Sequence, residues 1–146
     1  MAERNALDEA DIRRRIDGLV AAVRAMDFGG VKPIYAPDLV SFDIVPPLQH
    51  LGAPAKWQNW ADVFAAYEPP LGYEIRDLVI TLGDDVAFGR SLNRIHGTLK
   101  TGIKSDYWLR WTTGWRKIGG NWLIVHDQVS VPMDPGSGRA LRDLKP

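Results

Sequence analysis

Residues 105–132 read SDYWLRWTTGWRKIGGNWLIVHDQVSVP, and the fold turns on how this stretch alternates. Two runs rich in aromatic and β-branched residues flank Gly119-Gly120, the local signal for a tight antiparallel hairpin. Successive strand side chains point to opposite faces. Tyr107, Leu109, Trp111, Thr113 and Trp115 therefore share one face of the first run. In the second run Leu123, Val125, Asp127, Val129 and Val131 share a face, opposite Trp122, Ile124, His126, Gln128 and Ser130. Asp127 thus stands as one carboxylate in an aliphatic row. It must be paired, border a cavity or hold its proton, because an unpaired buried charge is too costly.

Upstream, Ile12, Ile16, Leu19, Val20, Val23 and Met26 recur at helical spacing, with Asn5 or Asp8 as the expected cap and Gly29-Gly30 as the stop. Pro33 is expected to open a short second helix ending near Tyr35. Leu39 to Val45 reads as a strand, on which Val40, Phe42 and Ile44 form the apolar face and Asp43 points away from it. Pro54 suits the first turn of a third helix carrying Trp57, Trp60, Ala61, Phe64 and Tyr67 as its stripe, ended by Glu68-Pro69-Pro70. Tyr73 to Leu82 and Val86 to Gly97 are two further strands about a Gly83-Asp84-Asp85 turn. This order is α+β: a long N-terminal helix and two further helices on one side of a curved antiparallel sheet. A bent sheet closed by an amphipathic helix makes a cone, and its interior is the default ligand site.

The 146 residues suit one domain over 1–146, with a core at about 8–132 and a tail at 133–146. Eighteen basic and eighteen acidic residues balance, so no global field recruits nucleic acid or an anionic membrane. No apolar run approaches the ~20 residues of a membrane span. The charged start, MAERNALDEADIRRR, lacks the apolar segment of a signal peptide, and a cytoplasmic location is expected. Cysteine is absent, which removes disulfides, thiol nucleophiles and Cys-ligated metals. His50, His96 and His126 are too scattered for a metal site, and neither a P-loop nor a Rossmann glycine fingerprint occurs. No metal or cofactor is expected.

The element order, together with YAPDLVSFD at 35–43, Gly52 before the third helix and WRKIGGNWLIVHDQVSVP at 115–132, resembles the NTF2-like superfamily. That group includes ketosteroid isomerases, SnoaL-type polyketide cyclases and limonene epoxide hydrolases, and the resemblance runs from about Ile12 to Pro132. The same ending is similar to that of the calmodulin-dependent kinase association domain, a non-catalytic relative. The resemblance implies the cone, places the isomerase base on Asp43, and puts the isomerase oxyanion donors near Ala22 and Trp111. The acid that polyketide cyclases supply from their last strand falls closest to Asp127. The Asp-Arg-Asp set of the epoxide hydrolases is not assembled at matching positions.

Asp43 and Asp127 are accordingly the candidate catalytic residues. Asp43 serves either as a general base or as a turn carboxylate capping backbone N–H groups. Asp127 serves either in proton transfer or in a buried pair with an arginine or a bond to Tyr107 or Asn93. Trp57, Trp60, Phe64, Asn93, Tyr107, Trp111, Trp115 and His50 are the expected lining of a pocket for a small apolar or aromatic ligand. Arg90, Arg94 and Arg110 alternate with Phe88, Leu92 and Trp108 on the outer sheet face, where a second copy is expected to dock as a homodimer. Two functional readings follow. One is a cofactor-free isomerase, cyclase or dehydratase; the other is a non-catalytic ligand-binding or dimerisation module.

Overall fold

The computed structural model describes residues 2–146. Helix α1 spans Ala2–Arg24 and α2 spans Ala53–Ala66. The strands are β1 Tyr35–Phe42, β2 His50–Leu51, β3 Tyr67–Leu82, β4 Val86–Leu99, β5 Lys104–Ile118 and β6 Asn121–Ser130. They form one six-stranded sheet in the order β2-β1-β6-β5-β4-β3. The α+β cone anticipated from the sequence is what the chain adopts. Two of its details differ from expectation. The sheet is mixed, because β1 runs parallel to β6 while the other neighbours are antiparallel. There are two helices among the described residues, for Pro33 lies in a turn that delivers the chain directly into β1.

Helix α1 begins at Ala2, so neither Asn5 nor Asp8 caps it. Asp8 is buried instead, accepting bonds from Lys117 Nζ at 3.0 Å and Trp122 Nε1 at 3.1 Å. These two bonds outweigh the cost of burial and hold its carboxyl below the usual range. The helix stops before Gly29, with Met26 in the left-handed conformation at φ 52°. Its apolar stripe, Ile12, Ile16, Leu19 and Val23, joins Trp115, Trp122 and Ile124 in a single core.

Plain alternation puts Trp122 and Ile124 on the face opposite Asp127, yet all three lie inside. The cause is a β-bulge. Gly114 is opposite His126 but Trp115 is opposite Ile124, so Val125 is an extra residue in β6. Before the bulge the even positions point inward, and after it the odd positions Asp127 and Val129 do. The first run keeps its phase, with Leu109, Trp111, Thr113 and Trp115 all buried. Strand β3 starts at Tyr67, six residues before the expected Tyr73, and follows α2 without a loop. Gly72 in this strand has no Cβ because the His96 imidazole lies across that space. No helix among the described residues is long and apolar enough to cross a membrane.

Candidate functional site

A cavity of about 400 Å³ lies between α2 and the concave face of the sheet. Helix α2 starts at Gly52, whose φ of 86° turns the chain out of β2, with Pro54 in its first turn. From there Lys56, Asn59, Trp60, Val63 and Ala66 fall on one face and line the cavity. The expected stripe of Trp57, Trp60 and Phe64 is therefore rotated. Trp57 packs at the edge of the helix under the Lys32 ammonium, 4.8 Å from its ring, and Phe64 packs on Trp60.

Strand β1 also presents the face opposite to the one expected. Leu39 and Ser41 are buried, while Phe42 and Ile44 are exposed, and Asp43 just beyond the strand continues the inward row. Ser41 is the register partner of Asp127 on β6. The two sequence-nominated carboxylates are thus brought to one end of the cavity, and a residue not nominated joins them. Lys56 Nζ lies 2.8 Å from Asp43 Oδ2, 3.1 Å from Asp127 Oδ2 and 3.3 Å from Ser41 Oγ. Asp127 is completely buried and also accepts bonds from Trp111 Nε1 at 3.1 Å and from the Ser41 hydroxyl. Asp43 accepts further bonds from Asn59 Nδ2 at 3.0 Å and the Ile44 amide at 2.7 Å.

This geometry fixes the charges. Burial pushes the Asp43 carboxyl up, but the Lys56 charge and the bonds from Lys56, Ile44 and Asn59 outweigh it and hold it below the ordinary range. Burial pushes the Lys56 ammonium down, and Asp127 and Asp43 together reverse that and raise it. The ammonium donates hydrogen bonds to Asp43 Oδ2 and Ser41 Oγ and lies in ionic contact with Asp127 Oδ2, so it is paired on every side that faces an acid.

The remaining polar groups are phenols. Trp60 Nε1 donates to the Tyr35 oxygen at 2.8 Å, and Asn93 Nδ2 donates to the Tyr73 oxygen at 2.7 Å. Ser91 fixes Asn93 by donating to its Oδ1 at 2.6 Å. An indole N–H can only donate, so the Tyr35 proton is left to point elsewhere. Burial, reinforced by the Asp127 charge, drives the Tyr35 phenol well above its usual value, and burial likewise raises Tyr73. Both are neutral donors throughout the physiological range.

Of the nominated residues, Asp43, Asp127, Trp60, Asn93, Tyr107 and Trp111 line the cavity. Trp115 is wholly buried in the core, its indole N–H given to Thr113 at 2.7 Å. His50 sits behind Asn59, its Nε2 donating to the Val45 carbonyl at 3.1 Å. Neither reaches the cavity. Ala22, the position matched to an isomerase donor, lies in the core, and the Trp111 N–H is consumed by Asp127. Lys56, Ser41, Asn59, Tyr35 and Tyr73 join the nominated residues in the structure without standing out in the sequence. Lys56 offered one signal: it interrupts the apolar side of α2 one residue before Trp57.

Comparison with known proteins gives a consistent picture. The profile of the SnoaL-like domain matches residues 12–134. An NTF2-like protein of unknown function from Pseudomonas putida is 32% identical, covering 97% of this chain and 98% of that one with a TM-score of 0.87. A protein provisionally named scytalone dehydratase from Novosphingobium aromaticivorans is 12% identical over 97% and 96% of the two chains, with a TM-score of 0.81. A ketosteroid isomerase-like protein from Erwinia carotovora is 24% identical over 83% and 93%, with a TM-score of 0.69. The last two show the fold alone. No curated protein matches the sequence.

Proposed function

The chain belongs to the SnoaL-like family, and from that premise we propose that it binds a small, apolar cyclic carbonyl compound and moves a proton on it without a cofactor. One observation carries this reading: ionised carboxylates and neutral phenol donors share one mostly apolar cavity of about 400 Å³. That size falls within the roughly 300–1,000 Å³ of small-molecule sites.

In the proposed chemistry the phenols of Tyr35 and Tyr73 donate to the substrate carbonyl oxygen, and Asp43 takes the proton from the adjacent carbon. The electron pair of the broken C–H bond moves into an enolate, whose oxygen the phenols hold. On a β,γ-unsaturated ketone the enolate is conjugated, and returning the proton from Asp43 to the γ-carbon completes an isomerisation. On a β-hydroxy ketone the enolate expels the β-hydroxyl, which takes the proton from Asp43 and leaves as water, completing a dehydration. Asp43 is the less buried of the two acids. Asp127 has a distinct task, for it keeps Lys56 paired while Asp43 carries the proton. The names of the dehydratase-like and isomerase-like neighbours are compatible with either outcome.

A second reading is favoured by the saturation of both carboxylates: a module that binds the ligand without turning it over. Deuterium exchange at the α-carbon of 1-tetralone, followed by NMR in D₂O, separates the two. Catalysed exchange that falls in Asp43→Asn supports the enzyme. Tight binding with exchange at the buffer rate supports the module. We also propose a homodimer through the outer sheet face, where Phe88 is half exposed beside Arg90. Sedimentation velocity of Phe88→Asp is its test, with a monomer expected.

A further inference from the structure

We propose that the cavity selects its ligand by charge, admitting neutral and cationic rings and refusing carboxylates. The inference rests on the cavity being the ligand site, and adds the substrate class to that reading.

The charge count comes from the hydrogen bonds. Asp127 accepts from the Trp111 indole and the Ser41 hydroxyl, one donor to each oxygen, and is paired with the Lys56 ammonium, so it has no proton of its own to place. Ser41 accepts from Lys56, which directs its hydroxyl proton to Asp127. Asp43 likewise receives only donors: Lys56, Asn59 and the Ile44 amide. Two carboxylates around one ammonium leave one net negative charge in the wall. The one other carboxylate among the lining residues, Asp62, adds to it, and Lys56 is the sole cation among them.

The rest of the wall has the same preference. Tyr35, Trp60, Tyr67, Tyr73, Tyr107 and Trp111 line the cavity, and aromatic faces are electron-rich. A ligand carboxylate entering here would lose its water and meet a like charge with no free cation to receive it. Lys56 is unavailable, since its single positive charge is already shared between two carboxylates and its ammonium is bonded to Asp43 and Ser41. A protonated amine would meet the opposite sign and the ring faces. A neutral ketone meets neither penalty and gives the phenols an acceptor.

Three probes of one skeleton test this on the intact protein: 1-tetralone, 1-aminotetralin and tetralin-1-carboxylate, titrated by calorimetry at pH 7. The ketone and the amine are expected to bind, with the carboxylate weaker by on the order of tenfold or more. In Asp43→Asn the cluster of Lys56 and Asp127 becomes neutral, leaving only the Asp62 charge in the wall, and the penalty against the carboxylate should shrink. A carboxylate that binds as well as the ketone overturns the proposal, as does failure of all three to bind. The wild-type series decides it even where the variant does not fold. Ketone binding without α-exchange would remove the catalytic reading and leave the charge order standing.

Discussion

Lys56 of α2 and Asp127 of β6 meet 3.1 Å apart with both side chains almost wholly inside the protein. They are the helix's and the sheet's contributions to a single ion cluster, and they bring the cavity's polar end together. A buried pair of this kind is weak evidence of stability by itself, yet breaking it from one side is expensive.

Lys56→Met is therefore expected to destabilise the fold by about 3–5 kcal/mol, because two buried carboxylates lose their cation. Urea unfolding at pH 7 measures this. Adding Asp127→Asn to Lys56→Met should recover part of the loss, and a double mutant no more stable than the single one would contradict the pairing.

The pH dependence follows from the direction of each shift. Asp43 is lowered on folding, so its stabilisation is present above the ordinary aspartate value and lost as pH falls through the lower folded value. Lys56 is raised, so its contribution is complete below the ordinary lysine value and lost as pH rises through the higher folded one. Urea midpoints measured across pH should show a decline at the acid end that flattens in Asp43→Asn.

The phenols should affect turnover as well as folding. Tyr35→Phe is expected to cut catalysed α-exchange by roughly 10²–10³, the usual effect of losing one oxyanion donor. It also strands the Trp60 indole N–H, for about 1–3 kcal/mol of stability. Unchanged exchange in both Tyr35→Phe and Tyr73→Phe would remove the phenols from the mechanism.

The bulge in β6 makes a prediction opposite to plain alternation. Trp122→Ala should cost about 3–5 kcal/mol, the range for a large core aromatic. Val125→Ala should cost clearly less, since Val125 is the extra residue at the bulge and only half-buried. Thermal unfolding of the two variants gives the order directly.

Residues 105–132 carried enough local pattern to reveal the hairpin, and with the element order they disclosed the cone. Asp43 and Asp127 were legible as anomalies, acids in places where acids need a reason. The Val125 bulge was not legible, because the extra residue is set by pairing with β5 and leaves the apolar run unbroken. Lys56 escaped for a related reason. A lysine on an amphipathic helix reads as solvent-facing, and its burial is sustained by acids 13 residues before it and 71 after it. Trp57 and Phe64 mimic the inward face because they are the greasier residues. Pro33 gives the segment before Tyr35 the pattern of a helix start, which conceals the inward direction of that phenol.

The direct passage from Ala66 of α2 to Tyr67 of β3 leaves no hinge residue between them. Tyr67 already pairs with Leu99, so the helix cannot swing outward without peeling the strand from its neighbour. The cavity wall bearing Lys56, Asn59 and Trp60 is consequently a fixed mould. Relatives that acquire new ligands on this scaffold would do so by exchanging bulk at positions such as Val63, Ala66 and Ile95. Sequence change at these sites, rather than breathing of the helix, would set which molecules fit.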